Sequence, residues 1–436
     1  MSDESAAPGQ HRTATRLLTY VEYTLWFIAV AGALAFAAVK LRNWGVFEQP
    51  EHSDFAVYYL AALVGRLNPS MLYADLAQLS SLTGLMLNPA SPYFYPPPFA
   101  LLVQPLSWLP PDKAGILFFW LNVLSILTVG TLIVKWQRGK LAGWLGLLLW
   151  LALPSVWDAL YHGNITLILT FLTFAGMIGM LSEKKWVQFL GGMMVGLAAA
   201  VKIYPALLFV ATLWRRKWAY GAGGIAVLLL YFGAGALAFP WSLWGQFLLG
   251  LGGHASGLET QSNSFVWNQS LWAFWRKMAY SGEIRLNIQQ VDLGSVTFSA
   301  LISPVVAQTL ALIMAFCVIG LSAWVIWRLR VGDRRELELG WCLLLLAMLI
   351  LSPITWHHYL ALLAPVLPMA LVIRHQLKPI PRLLLPIGYL IFVVQRASML
   401  ILDLIPIFAL SAILVIALLL WWSIFLVRLN TDLTTK

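Results

Sequence analysis

Charge is what this chain has least of. Only 11% of its 436 residues are charged, against about 25% in an ordinary soluble domain. With 60% hydrophobic residues and a mean hydropathy of +0.79, it is not a soluble enzyme, a disordered protein or a nucleic-acid-binding domain. Acidic residues are the scarcer sign, 18 against 28 basic, for a net charge of +10. In so apolar a chain that surplus reads as basic cytoplasmic loops. Cysteine is scarce too. Cys317 and Cys342 both lie inside apolar runs, which excludes a disulfide framework and a Cys-based zinc site. There is no H-E-x-x-H, no P-loop and no carboxylate cluster. No metal, cofactor or nucleic-acid partner is therefore expected. The alternating segments of about 10 residues that mark a membrane barrel are also missing.

What is present is a set of long apolar runs, such as Leu383 to Val394 and Ile405 to Val427. In lipid every backbone polar group must be satisfied internally, so these runs predict a polytopic, all-α membrane protein. The 22 tryptophans suit rings placed at the two membrane interfaces. Helices are expected at about 17–40, 113–135, 141–154, 164–181, 187–201, 204–213, 218–240, 304–327, 338–352, 358–373, 383–400 and 405–427, twelve in all. The residues before 16 read as polar and loose. The first run competes with a signal peptide, but it is longer than a typical h-region and is read as retained. A helix of 14 residues is about 21 Å long, short of a hydrocarbon core of about 30 Å. The shorter pieces must therefore open onto a protein-lined cavity. Runs 187–201 and 204–213 read as a hairpin turned at Lys202-Ile-Tyr-Pro205. With both termini cytoplasmic, 19 of the 28 basic residues fall on cytoplasmic segments. Two long loops then lie outside, 41–112 and 241–303, followed by C-terminal helices over 375–436. The whole chain, 1–436, reads as one transmembrane domain with its chemistry on the extracytoplasmic side.

Several segments carry polar groups where the topology puts water. In Ser53-Asp-Phe-Ala-Val-Tyr-Tyr, Phe55, Tyr58 and Tyr59 recur at helical spacing, which predicts a helix lying on the membrane surface. Asp54 is either its N-cap or a general base. Ser91-Pro-Tyr-Phe-Tyr-Pro-Pro-Pro98 is a stiff extended stretch. Asp158, His162 and Asn164 cluster before a helix. Lys202 either snorkels to the headgroups or binds a phosphate as a point charge. In Ser352-Pro-Ile-Thr-Trp-His-His-Tyr359, His357 and His358 would point about 100° apart on an α-helix, so they do not chelate one metal. The segment from Asn263 to Arg276 ends in an amphipathic stretch, with Leu271, Phe274 and Trp275 on one side. It is either a plain interfacial helix or one wall of a lipid or glycan groove.

Taken in order, these pieces resemble glycosyltransferase family 87, the polyprenyl-phosphate-mannose-dependent α-mannosyltransferases of the GT-C superfamily. The matching segments are Asp54-Phe55 with Tyr58 and Leu72-Tyr73; Tyr95-Pro96-Pro97 with Gln104 to Pro110; Gly163-Asn164; Gly196 to Pro205 with Arg215-Arg216; Asn268-Gln-Ser270; and Ser352 to His358. They span about 50–360, and the region after 375 matches only in being helical. His162 stands where the family pattern leads one to expect Gln. The resemblance implies a GT-C fold and an inverting sugar transfer on the extracytoplasmic face of an inner membrane. The donor would be a polyprenyl phosphate hexose, mannose in the family's known case. The acceptor would be a lipid-linked or cell-envelope glycan, and membrane lipids would be the other partners. It further implies Asp54 as general base, Lys202, His357 and His358 at the donor phosphate, and Tyr58, Tyr95, Asn164, Tyr204, Asn268 and Trp356 lining the substrate site. The competing class is a lipid or glycan transporter, whose broken helices and charged midplane would look similar. A structural assembly subunit is a third reading, one in which Asp54 is dispensable.

Overall fold

The computed structural model describes residues 8–42, 54–74, 76–85, 93–256, 268–288, 291–329, 333–402 and 413–434. The described chain is helical apart from one hairpin. In order it runs α1 (Pro8–Arg42), α2 (Asp54–Leu67), α3 (Leu76–Thr83), α4 (Pro97–Val103), α5 (Pro111–Trp136), α6 (Leu141–Ala152), α7 (Pro154–Tyr161) and α8 (Thr166–Met180). Then come α9 (Lys185–Val201), a 3-10 turn (Tyr204–Phe209), α10 (Val210–Arg215), α11 (Trp218–Ala238), α12 (Trp241–Ser256) and α13 (Leu271–Met278). The hairpin follows, β1 (Gly282–Ile288) and β2 (Val291–Phe298), then α14 (Pro304–Arg328) and α15 (Arg334–Leu351). A second 3-10 turn (His357–Leu363) leads to α16 (Val366–Ile373), α17 (Pro379–Leu402) and α18 (Ile413–Thr434).

Where they are described, the apolar runs are mainly helical, with breaks such as Leu153 and Ala364-Pro365 inside them. By length and composition, four helices among the described residues can cross a membrane: Leu17–Ala35 within α1, α5, α11 and α14. Two bent pairs raise the number to six. One is α6 with α7, bent by 52° where Pro154 opens α7, and the other is the 3-10 turn His357–Leu363 with Val366–Gln376, bent by 58°. Lys202 ends α9 in extended geometry, and Pro205 is the second residue of the 3-10 turn that follows. This is the break expected at 202–205.

Three expectations are corrected. The residues read as loose before 16 belong to α1 from Pro8 onward. The second long loop is not wholly helical, because β1 and β2 pair antiparallel in it with a bulge between Arg285 and Asn287. Most important, α2 is not a half-exposed helix with a single apolar stripe. Every residue from Asp54 to Gly65 is buried. Its small residues Ala56, Ala61, Ala62 and Gly65 fill the positions between the aromatics, so neighbours close on all sides and not on one stripe. Gly65 faces Ala100 of α4, while Phe55 and Tyr58 pack on Phe118 of α5. The segment Asn263–Arg276 is described only from 268. There α13 buries Leu271, Ala273 and Lys277, while Phe274 and Trp275 are half-buried.

Apolar surface alone does not bring helices together in lipid, because lipid tails are as apolar as Leu. Close packing and interhelical hydrogen bonds must do it. Both are present. At the α9–α11 crossing a Cβ on Gly192 would stand 1.8 Å from the Tyr220 carbonyl oxygen, so only glycine permits that approach. Trp150 Nε1 of α6 donates to the Ala361 carbonyl at 2.8 Å, and the Tyr389 hydroxyl of α17 donates to the Leu149 carbonyl at 2.7 Å. Glu22 of α1, buried, is bonded by Arg382 of α17. At the centre α15 is buried on every side from Leu339 to Ile350, whereas α14 turns Val305, Phe316 and Trp327 outward.

Candidate active site

The site begins with a glycine. Gly163 sits between α7 and α8 with φ +57°, a left-handed conformation that side chains disfavour. A Cβ there would stand 2.8 Å from Cβ of Phe55. The bare backbone lets the start of α2 dock on this turn, and the Phe55 amide donates to the His162 carbonyl at 3.3 Å. Asp54 is thereby laid beside Asn164. The Asn164 Nδ2 donates to Asp54 Oδ2 at 2.6 Å. The orientation of that amide is set by its other end, because Asn164 Oδ1 accepts from the Thr166 backbone amide at 2.9 Å and the Thr166 hydroxyl at 2.6 Å. The Asp54 carboxylate, 7% exposed, is thus held from behind. Burial pushes its pKa up from the ordinary carboxylate value, while the Asn164 hydrogen bond and the nearby charges of Lys202 and His357 pull it down.

Asp54 opens onto a cavity of about 430 Å³. Much of its lining is apolar, with Val201, Ile203, Leu207, Phe247, Met348 and Leu351. Polar groups are fewer. The Tyr58 hydroxyl shares a hydrogen bond with the Tyr95 hydroxyl at 3.0 Å and accepts from the Ile165 amide at 3.3 Å. Tyr95 stacks on Phe99 with ring centroids 4.5 Å apart, and its carbonyl accepts from the Tyr73 hydroxyl at 2.7 Å. The stiff Tyr–Pro segment is therefore a wall of the cavity. Lys202 reaches in from the end of α9. Its ammonium donates to the Tyr359 hydroxyl at 2.9 Å and lies 4.1 Å from the centre of that ring. Asp54 is the single acid and Lys202 the single basic side chain among the lining residues.

Seven of the ten residues singled out in the sequence meet at this cavity: Asp54, Tyr58, Tyr95, Asn164, Lys202, Tyr204 and Trp356. The other three stand behind it. His357 Nε2 lies 3.1 Å from Oδ2 of Asp158, which is fully buried on α7. His358 is 3% exposed and packs edge-on against Tyr359. The reason is the local helix type. Residues 357–363 form a 3-10 turn, where consecutive side chains point 120° apart. His357 turns to α7, and Tyr359 takes the direction of the cavity. Asn268 staples the preceding bend. Its Nδ2 donates to the Pro353 carbonyl at 3.1 Å, and its Oδ1 accepts from the amides of Thr355 and Ser270, each at 3.0 Å. The Gln269 amide adds a bond to the Thr355 carbonyl at 2.8 Å. Two segments about 85 residues apart thus lock one bend. Sequence reasoning missed Tyr359 as a site residue and gave Asp158 no task. No periodicity marked either, since the signal is the 3-10 geometry itself. Among the described residues no three His, Cys, Asp or Glu side chains gather into a metal-binding group.

A helical membrane protein whose largely apolar cavity is lined by one carboxylate and one ammonium is the class that this fold and site define. Residues 93–353 match the model of Glycosyltransferase family 87, and the chain belongs to that family. It is also 27% identical over 288 residues to the polyprenol-phosphate-mannose-dependent alpha-(1-2)-phosphatidylinositol pentamannoside mannosyltransferase of Mycolicibacterium smegmatis. That match covers 63% of this chain and 60% of the relative's length. No solved structure shows a significant match to the chain.

Proposed function

We propose that the protein is a membrane glycosyltransferase that moves a hexose, mannose by likeness to its relative, from a polyprenyl phosphate sugar to a lipid-linked or cell-envelope glycan. The reaction runs on the extracytoplasmic face of an inner membrane, within a single domain of about twelve spans. The observation that carries this reading is the pairing of Asp54 and Lys202 in one apolar cavity. A sugar phosphodiester on a lipid carries one negative charge, and the cavity offers one cation to receive it. A nucleotide diphosphate sugar would bring a second charge with no basic partner among the lining residues.

In the proposed step a hydroxyl of the acceptor attacks the anomeric carbon from the face opposite the phosphate. The new C–O bond forms as the bond to the phosphate oxygen breaks, and polyprenyl phosphate leaves with the electron pair. Configuration inverts. The hydroxyl proton passes to the Asp54 carboxylate, whose other oxygen is held by Asn164. Lys202 faces the charge that grows on the leaving phosphate, and against a mostly apolar lining such a contact counts for more than it would in bulk solvent. Tyr58, Tyr95, Tyr204 and Trp356 frame the sugar. Val201, Leu207 and Met348 offer apolar surface to the first isoprene units. His357, His358 and Asn268 serve from behind by fixing the bend that carries Trp356.

The test is transfer by purified protein in nanodiscs, given a short-chain polyprenyl phosphate mannose and a membrane lipid extract as acceptor, with Asp54→Asn run in parallel. Transfer with inverted configuration in the wild type and its loss in a folded Asp54→Asn protein are expected. Full transfer by the variant would remove Asp54 as base. No transfer by folded wild type with any polyprenyl phosphate sugar would favour a transporter or an assembly subunit.

A further inference from the structure

Lys202 is a long side chain at a helix break, with Val201 and Ile203 on either side and backbone angles of φ −133° and ψ 123°. Nothing in that local geometry aims its ammonium. A free lysine would spread over many rotamers, at a cost in entropy each time a ligand ordered it. In the structure it has one direction. Among the described residues its hydrogen bond goes to the Tyr359 hydroxyl, 2.9 Å away, and the ring centre of the same tyrosine is 4.1 Å away. Tyr359 is 5% exposed and cannot swing aside. His358 packs on its edge at 4.9 Å and Tyr204 lies at 5.4 Å. Its backbone amide donates to the Trp356 carbonyl at 2.9 Å. The turn beneath it is pinned to α7 through His357 and Asp158 and to the α13 region through Asn268.

We infer that Tyr359 is a positioning residue, one that holds the Lys202 ammonium by its hydroxyl and ring at the point where the cavity receives the phosphate of a lipid phosphodiester. The inference rests on the donor reading above and adds to it the residue through which the bend at 352–359 acts on the ligand. An ammonium carries three N–H donors, and Tyr359 takes one. Two remain for phosphate oxygens. Arg276 and Lys277, the basic residues of α13, are not among the cavity-lining residues, so they do not substitute for Lys202.

The experiment is a double-variant cycle read by binding. Wild type, Tyr359→Phe, Lys202→Met and the double variant are purified in detergent, and their melting temperatures confirm folding. Each is titrated with farnesyl phosphate mannose and, separately, with farnesol. Tyr359→Phe keeps the ring and removes the hydroxyl. It is expected to weaken the phosphorylated probe about tenfold, the scale of one hydrogen bond to a charged group. It should leave farnesol unchanged and have no further effect once Lys202 is Met. Equal weakening in both backgrounds, or equal weakening of farnesol, would overturn the inference and leave the donor reading standing. Failure of folded wild type to bind farnesyl phosphate mannose would overturn both. If Lys202→Met does not fold, Lys202→Gln takes its place in the cycle, with the same outcomes.

Discussion

The two charged walls of the cavity are built differently. Asp54 is fixed by backbone. It begins a helix whose start is docked through Gly163, and its carboxylate is held by an asparagine that is itself bonded to the first turn of α8. Lys202 hangs from a break in a helix, hydrogen-bonded to Tyr359 from a distant part of the chain, with the Tyr95 ring a more distant cation–π neighbour at 5.7 Å. The difference follows from what each group has to do. A base must sit within a hydrogen bond of one oxygen, and a misplacement of about 1 Å costs about a hundredfold in rate. A point charge opposite a phosphate tolerates more freedom, and a hydrogen bond with a cation–π contact suffices to aim it.

The largest break in that comparison is Asp54→Asn. The amide keeps the shape and cannot take the proton, so turnover at saturating donor should fall about a thousandfold, within the range for general base catalysis. Donor binding should stay within a few-fold, and single-turnover kinetics beside a binding titration separate the two. Next is Gly163→Ala. It forces a side chain into a φ of +57° and against Phe55. The expected cost is about 1–3 kcal/mol of stability, with turnover down about a hundredfold as the base shifts. Thermal unfolding and the same assay read both. Lys202→Met should act on the other wall, lowering kcat about tenfold or more because the charge growing on the leaving phosphate loses its partner, and raising the donor KM as well because the ground-state phosphate loses the same contact.

Asn164→Ala is the mildest and sharpens the comparison most. The Asn164 hydrogen bond lowers the Asp54 pKa, so its removal moves that pKa further up, in the same direction as burial. The base works as a carboxylate and is lost as pH falls through its pKa. The acid limb of the kcat/KM profile should therefore move to higher pH. A limb that stays in place would mean that Asn164 does not tune Asp54.

Much of the site was legible in the sequence because its pieces are short, local and punctuated. Gly163-Asn164 needs a left-handed turn, Lys202 precedes a proline, and Tyr95 begins three prolines; each leaves a mark that needs no partner to be seen. The placement of α2 was not legible. Phe55, Tyr58 and Tyr59 satisfy the spacing of a surface helix equally well, and only the presence of α4, α5 and α8 around it makes the other face buried as well. Asn268, His357 and His358 stand out in the sequence as polar residues in an apolar chain, but spacing cannot say whether such a residue faces a ligand or braces the one that does.

Composition and the long apolar runs, without the alternation of a barrel, determined that the chain is a helical membrane protein, since the cost of leaving backbone unpaired in lipid depends on no particular neighbour. The breaks at Pro154 and Lys202–Pro205 were likewise written locally, in residues that cannot continue a helix. Tertiary structure decided which groups meet. Asp54 and Asn164 are 110 residues apart and Lys202 and Tyr359 are 157 apart, and no local rule joins them. It also decided that the 357–363 turn is 3-10 and not α. Adjacent side chains there diverge by 120°, so packing against α7 on one side gives His357 to Asp158 and Tyr359 to the cavity.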